Sequence, residues 1–163
     1  MSLTPATSAY EVLLAVHIMA VVAAFGVTFA YPVMFAVAAR VDPRSLPLLH
    51  RIEYSIERRL VNPLLVVVLG AGVYLASDHH HWSEFFVQWG LAAVIVIGGL
   101  LGMVTIPASK RAEQLAARDI AAAGGEAVQM SEEYRAVVRR LMVVGSLLSA
   151  LVLLTILFMV IKP

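Results

Sequence analysis

The sequence predicts an all-α fold, a polytopic membrane protein built as a bundle of four transmembrane helices. Of its 163 residues, 61% are hydrophobic and 14% are charged, and the mean hydropathy is +0.87. A soluble domain carries about 25% charged residues. The apolar residues also fall into four blocks without Asp, Glu, Lys or Arg, at residues 12–39, 60–77, 85–109 and 141–161. Each block is close to the ~20 residues with which an α-helix crosses a bilayer.

The layout of these blocks predicts a single membrane domain over residues 1–163. The blocks lack the alternating pattern of barrel strands, so helices are the way to satisfy their backbone in lipid. The predicted spans are at about residues 10–39, 60–77, 84–108 and 140–161. They leave two inner loops and one outer loop, at residues 40–59, 109–139 and 78–84.

Positive charge predicts the orientation of the bundle. Five arginines lie in residues 40–59, six cationic residues lie in residues 110–140, and Lys162 is the twelfth. Because Lys and Arg accumulate in cytoplasmic loops, we expect both long loops inside and both termini outside the cytoplasm. The bacterial plasma (inner) membrane is the predicted location, with the lipid bilayer as partner. A net charge of +1 does not indicate binding to nucleic acid.

Both inner loops contain helical patterns. Apolar residues at spacings of three and four predict an amphipathic inner loop helix lying along the inner leaflet, with a segment packed under the bundle as the alternative. These residues are Leu46, Leu49, Ile52, Ile56 and Leu60. The third helix keeps its period as far as Gly124-Gly125, and Ser131 begins the fourth. This predicts a cytoplasmic extension of the helix 3/helix 4 hairpin.

Small residues four positions apart predict close helix packing. Such pairs let helix backbones approach closely in lipid. They are Gly26 with Ala30, Gly98 with Gly102, and Gly145 with Ser149. We expect packing inside the bundle. The alternative is an interface in a homo-oligomer or a larger membrane complex.

His17 is the candidate cofactor ligand. It is the one strongly ionisable residue well inside a predicted span. A polar group at that depth is costly unless it is paired or ligating. One interpretation is a neutral imidazole hydrogen-bonded to a neighbour such as Tyr74. The other is an axial ligand of b-type haem.

His79, His80 and His81 form a second candidate site, in the outer loop. With Asp78 and Glu84 they offer imidazole and carboxylate groups that suit zinc or copper. Adjacent residues in a short loop rarely converge on one ion, so a polar interfacial loop is the alternative interpretation.

The segment Tyr10-Glu11-Val12-Leu13-Leu14-Ala15-Val16-His17-Ile18, followed by Phe25-Gly26, resembles the first helix of a family of small bacterial predicted integral membrane proteins of unknown function. That family is similar to the copper-resistance D membrane domain and the J-type protoporphyrinogen oxidase. The resemblance implies a first-helix haem ligand, and the matching position is His17. The oxidase also uses a lysine in a later helix, whereas residues 85–109 contain none. Haem binding is therefore implied without porphyrinogen oxidation.

Three functional hypotheses follow. The first is a non-enzymatic membrane protein that binds haem b through His17, for electron transfer or an accessory role. The second is a structural bundle that oligomerises or supports a larger complex without a cofactor. The third is a small-molecule carrier. With no Asp, Glu, Lys or Arg in any of the four apolar blocks, the sequence offers no relay of carboxylates and no catalytic set of residues.

Overall fold

The computed structural model describes residues 8–78 and 80–163, and in this part of the chain there are four long helices and no strand. They are α1 (Ala9–Val41), α2 (Pro43–Asp78), α3 (Phe85–Ala122) and α4 (Glu132–Ile161). All four are long and apolar enough to cross a membrane. The predicted all-α membrane bundle of four helices is confirmed.

Local signals in the sequence explain where two of the helices begin. Ser8 and Glu11 form a capping box at the start of α1, each side chain bonding to the other's backbone N–H. Ser131 caps α4 by accepting a hydrogen bond from the backbone N–H of Tyr134. Between α3 and α4 the chain turns through Gly124 and Gly125, whose φ angles of 55° and 110° favour glycine.

Asp119 fixes the loop that joins α3 to α4. Its carboxylate accepts a hydrogen bond of 2.8 Å from the backbone N–H of Ser131 and two from the guanidinium of Arg118. Burial acts to raise the pKa of this carboxyl, but the hydrogen bonds from Ser131 and Arg118 outweigh it, and the pKa lies below its usual value.

Three of the four helices contain a segment that departs from α-helical geometry. α1 has a 3-10 segment at Gly26–Ala30, and π-helical segments occur at Glu57–Val61 in α2 and Leu101–Thr105 in α3. Each segment is followed within two residues by a proline, at Pro32, Pro63 or Pro107. Proline lacks an N–H and clashes with the carbonyl four residues earlier, and in each case that carbonyl lies in the irregular segment.

α2 is longer than the second predicted span and includes most of the first predicted inner loop. Residues 46–56 are α-helical and continue through the π-helical segment into Asn62–Asp78. Its predicted apolar face is mixed. Ile52 and Leu60 are exposed, Leu49 and Ile56 are half-buried, and Leu46 is buried. The buried face carries His50, Glu53 and Glu57.

The bundle has two apolar cores, and we name its ends by charge. The basic end is the end where α1 joins α2 and α3 joins α4, and it carries every cationic residue except Lys162. The opposite end carries the α2–α3 connection. The membrane core contains Ala24, Phe25, Val61, Leu65, Ile97, Leu101, Leu148 and Val152. The basic-end core contains Leu46, Ala112, Leu115, Ala116, Tyr134 and Leu141.

Candidate functional site

His17 packs against α2. Its ring lies over Gly72, where an added Cβ would be 3.3 Å from His17 Cε1. The ring lies close to the backbone of Val68, whereas the suggested partner Tyr74 is exposed. The His17 Nδ1 is buried and has no hydrogen-bond partner in the described structure.

These contacts fit haem poorly. The Nδ1 that lacks a partner belongs to a ring that lies over Gly72, where an added Cβ would be 3.7 Å from that atom. Ala20, Ala24 and Ala71 are buried. An iron bound to this Nδ1 would therefore compete with Gly72 of α2 for the same space. The geometry instead suits the packing interpretation, in which Gly72 leaves space for the imidazole.

The outer-loop histidines do not converge. His79 lies outside the described residues. His80 is exposed with φ of 57°, and the ring of His81 lies 6.0 Å from that of Phe86. Among the residues that the structure describes, no three His, Cys, Asp or Glu side chains are placed to hold a metal ion. The zinc or copper hypothesis gains no support from them.

The small residues divide into two groups. A Cβ on Gly98 would lie 3.1 Å from Leu65 Cδ2, so Gly98 permits the close approach of α3 to α2. No atom lies within 4 Å of the corresponding positions at Gly26, Gly102 and Gly145. The small residues paired with two of these glycines differ in burial. Ala30, paired with Gly26, is exposed, and Ser149, paired with Gly145, is half-buried.

A group of buried polar side chains lies at the basic end, and most of its members fall in the predicted inner loops 40–59 and 109–139. We call it the polar cluster; its members come from all four helices. They are Tyr31 of α1, His50, Glu53 and Glu57 of α2, Thr105 and Ser109 of α3, and Tyr134 of α4.

His50 is the centre of the hydrogen-bonded part of this cluster. It is 1% exposed, its Nδ1 lies 3.2 Å from Glu53 Oε2, and its Nε2 lies 3.1 Å from the Tyr134 hydroxyl. The ring of Phe35 stacks on it with a centroid distance of 4.5 Å. A neutral ring with its proton on Nδ1 satisfies both bonds, because Nδ1 then donates to Glu53 and Nε2 accepts from Tyr134.

Glu57 is the centre of the unsatisfied part. It lies one turn after Glu53, is 4% exposed and lies close to the hydroxyl of Thr105, which donates to the backbone carbonyl of Leu101. Its Oε2 has no partner, and neither do the buried hydroxyls of Tyr31 and Ser109. Buried polar groups are normally hydrogen-bonded, so three unsatisfied oxygens in one cluster call for an explanation.

Cationic side chains do not neutralise Glu57. Arg51 binds Glu113 at 2.7 Å, and Arg58 donates to the hydroxyl of Tyr54 at 2.7 Å. Within the described ranges, no lysine or arginine forms an ion pair with Glu57. An isolated buried carboxylate is strongly disfavoured, so this side chain is expected to hold a proton.

The irregular segments lie beside this group. Glu57 begins one π-helical segment, Thr105 ends the other, and Tyr31 directly follows the 3-10 segment. π-Helical segments occur frequently at functional sites. The prolines that cause them are therefore responsible for the local backbone at Glu57, Thr105 and Tyr31.

No family model, curated protein or solved structure matches this chain. The resemblance of the first helix to haem-ligating membrane proteins stays a prediction.

Proposed function

We propose that the protein is a non-enzymatic, proton-binding protein of the bacterial plasma membrane, of the small-molecule carrier class. Glu57 is the proton-binding group, and the basic end faces the cytoplasm. The observation that carries the proposal is the buried Glu57 carboxylate, which has one oxygen unpartnered and no cation beside it. Four apolar helices and the cations at one end support the membrane location and the orientation.

A buried carboxyl is useful to a carrier because its charge can be coupled to structure. Ionisable residues inside membrane bundles commonly belong to proton relays. Loss of the proton leaves a charge that the nearby hydroxyls of Tyr31 and Thr105 stabilise only partly. The irregular segments beside them are where the helices can adjust most easily, because their backbone hydrogen bonds are already displaced from the α-helical pattern.

Infrared spectroscopy of reconstituted protein tests the proton on Glu57. We expect a protonated carboxyl band at neutral pH that Glu57→Gln removes. The matched control is Glu132→Gln, because the Glu132 side chain is 82% exposed, and it should leave the band unchanged. Survival of the band in Glu57→Gln, or its absence from the wild type, would contradict the proposal.

A transport measurement tests the carrier class. In vesicles with a pH gradient, the wild type should change the internal pH faster than empty vesicles when its solute is supplied, and Glu57→Gln should not. Because the solute is unidentified, a mixture of small metabolites is the first probe. Proton movement that Glu57→Gln leaves intact would assign transport to another site.

Assembly is the second candidate function, and the open glycines favour it. Gly102 has no atom within 4 Å of an added Cβ, whereas Gly98 contacts Leu65. Gly102→Ile should therefore disrupt association between copies, and Gly98→Ile should disrupt the bundle itself. Cross-linking in native membranes separates these effects. Equal cross-linking of wild type and Gly102→Ile would remove this candidate.

The haem hypothesis for His17 is tested by an absorption spectrum. Protein purified in mild detergent from haem-supplemented cells should show a Soret peak, with sharpened α and β bands on reduction, if haem b is bound. His17→Ala should then abolish it. A flat spectrum leaves His17 as a packing residue on Gly72.

A further inference from the structure

The outward surface of α2 carries a shallow groove at the basic end. We call it the Arg59 groove; its volume is about 390 Å³. Its floor is one row of aliphatic side chains at a spacing of four, namely Leu48, Ile52, Ile56 and Leu60. The adjacent row, also at a spacing of four, is Arg51, Ser55 and Arg59. The twelve helical steps from Leu48 to Leu60 make the groove about 18 Å long.

The floor of this groove continues into the lipid-facing surface. Leu48 is 59% exposed, and Leu60 is 42% exposed. Val67, seven residues and two turns beyond Leu60, is exposed on the same side of α2 within the membrane span. An acyl chain can therefore lie along the aliphatic row of the groove and extend from Leu60 toward Val67 in the bilayer.

The charge on the groove wall selects an anion. None of the groove residues is acidic. Arg51 already forms an ion pair with Glu113 at 2.7 Å. Arg59 is exposed and forms no ion pair or hydrogen bond with any residue that the structure describes. A guanidinium is well matched to the oxygens of a phosphate, which it can bind through two N–H groups.

We propose that the Arg59 groove binds an anionic phospholipid of the leaflet at the basic end, with its phosphate on Arg59 and an acyl chain along Ile56 and Leu60. The aliphatic floor of the groove matches the acyl chain of such a lipid, and the adjacent row with its arginines matches the phosphate. This site lies on the outward face of α2, whereas Glu57 lies on the buried face, so the inference does not rest on the proposed function.

Native mass spectrometry of the intact protein, with dioleoyl phosphatidylglycerol or phosphatidylcholine added to the detergent, tests the site. Phosphatidylglycerol should be retained in preference to phosphatidylcholine. Arg59→Gln should weaken its binding about fivefold, as expected for one basic residue near an anionic lipid. Arg135→Gln is the matched control. It removes the same charge from the same end but lies outside the groove, where it pairs with Glu132 at 2.7 Å, and binding should be unchanged.

Three results would overturn the inference. The first is equal retention of the two lipids by the wild type. The second is equal loss of phosphatidylglycerol in Arg59→Gln and Arg135→Gln. The third is displacement of the lipid by glycerol 1-phosphate at equal concentration, which would indicate a free phosphate site. If Arg59→Gln fails to fold, Arg59→Lys keeps the charge without the two-pronged geometry and should lose an intermediate amount of binding.

Discussion

The two ends of the bundle pack by different means. At the opposite end, α1 and α2 meet through His17 and Gly72, and Trp89 donates to Thr155 at 3.1 Å with the ring of Phe158 beside it. At the basic end, prolines interrupt the helices, and buried histidine, carboxyl and hydroxyl groups lie between them. Close packing holds the opposite end together, whereas hydrogen bonds and the basic-end core hold the basic end together. Among the described residues, the opposite end, where His17, His80 and His81 lie, has fewer buried polar side chains than the basic end.

The largest expected effect is the loss of stability when a leucine in the basic-end core is replaced by alanine, compared with the same replacement of a leucine that faces lipid. Leu115 is 2% exposed, and Leu153 is 57% exposed. Leu115→Ala should lower the free energy of unfolding by about 3 kcal/mol, because it leaves a cavity. Leu153→Ala should cost much less. Unfolding by SDS in mixed micelles, followed by circular dichroism, gives both values. Equal losses would show that the basic end has no true core.

Removal of one hydroxyl tests the hydrogen bonds of the polar cluster. Tyr134→Phe leaves the Nε2 of His50 without its partner, which should cost about 1–2 kcal/mol. Tyr54→Phe is the control, since the hydroxyl of Tyr54 contacts only the exposed Arg58 among the interactions described. The same SDS titration measures both. A loss in Tyr54→Phe as large as that in Tyr134→Phe would contradict the special role of His50.

Two glycines one half-turn apart test the contact at the opposite end. An added Cβ would lie 3.3 Å from His17 Cε1 at Gly72 but meet nothing within 4 Å at Gly70. Gly72→Ala should cost about 1 kcal/mol through overpacking, and Gly70→Ala should not destabilise the protein. A His17→Ala background should remove the penalty at Gly72. A penalty that survives in that background would show that His17 does not lie on Gly72.

The smallest effect concerns pH and the loop between α3 and α4. Because the folded-state pKa of Asp119 is below its unfolded value, its contribution to stability is present above the unfolded pKa and is lost as the pH falls through the folded pKa. The thermal midpoint of Asp119→Asn should therefore lie below that of the wild type at neutral pH and approach it in acid. A difference in thermal midpoint that stays constant from neutral to acidic pH would show that the ionisation of Asp119 does not contribute to stability.

The sequence was sufficient for the four membrane helices and the hairpin, because hydropathy blocks and caps are local signals. It missed Glu53 and Glu57 because the charge-free block that predicted the second span begins only at Leu60. The signal was nevertheless present in a row of positions at spacings of three and four. His50, Glu53, Glu57 and Val61 continue without a break into Leu65 and Val68, and all six are buried.

Other features of the site depend on how the helices meet. Glu57 lies close to Thr105, and His50 bonds with Tyr134, which is 84 residues away in the sequence. Both contacts depend on how the helices are rotated about their axes, and no local sequence pattern specifies those rotations. The prolines were a partial signal, since Pro32, Pro63 and Pro107 each mark a helix that continues with altered geometry. At the opposite end, the contact of His17 with Gly72 is of the same non-local kind.

The length of α4 has a consequence for how the protein unfolds. This helix is α-helical from Glu132 to Ile161, and it contributes Leu141 to the basic-end core and Leu148 and Val152 to the membrane core. A break in α4 near Leu141 would withdraw side chains from one core and loosen the support of the other. The two cores should therefore lose amide hydrogen-exchange protection together, as a single cooperative unit, although they differ in chemistry and lie on different stretches of the other helices.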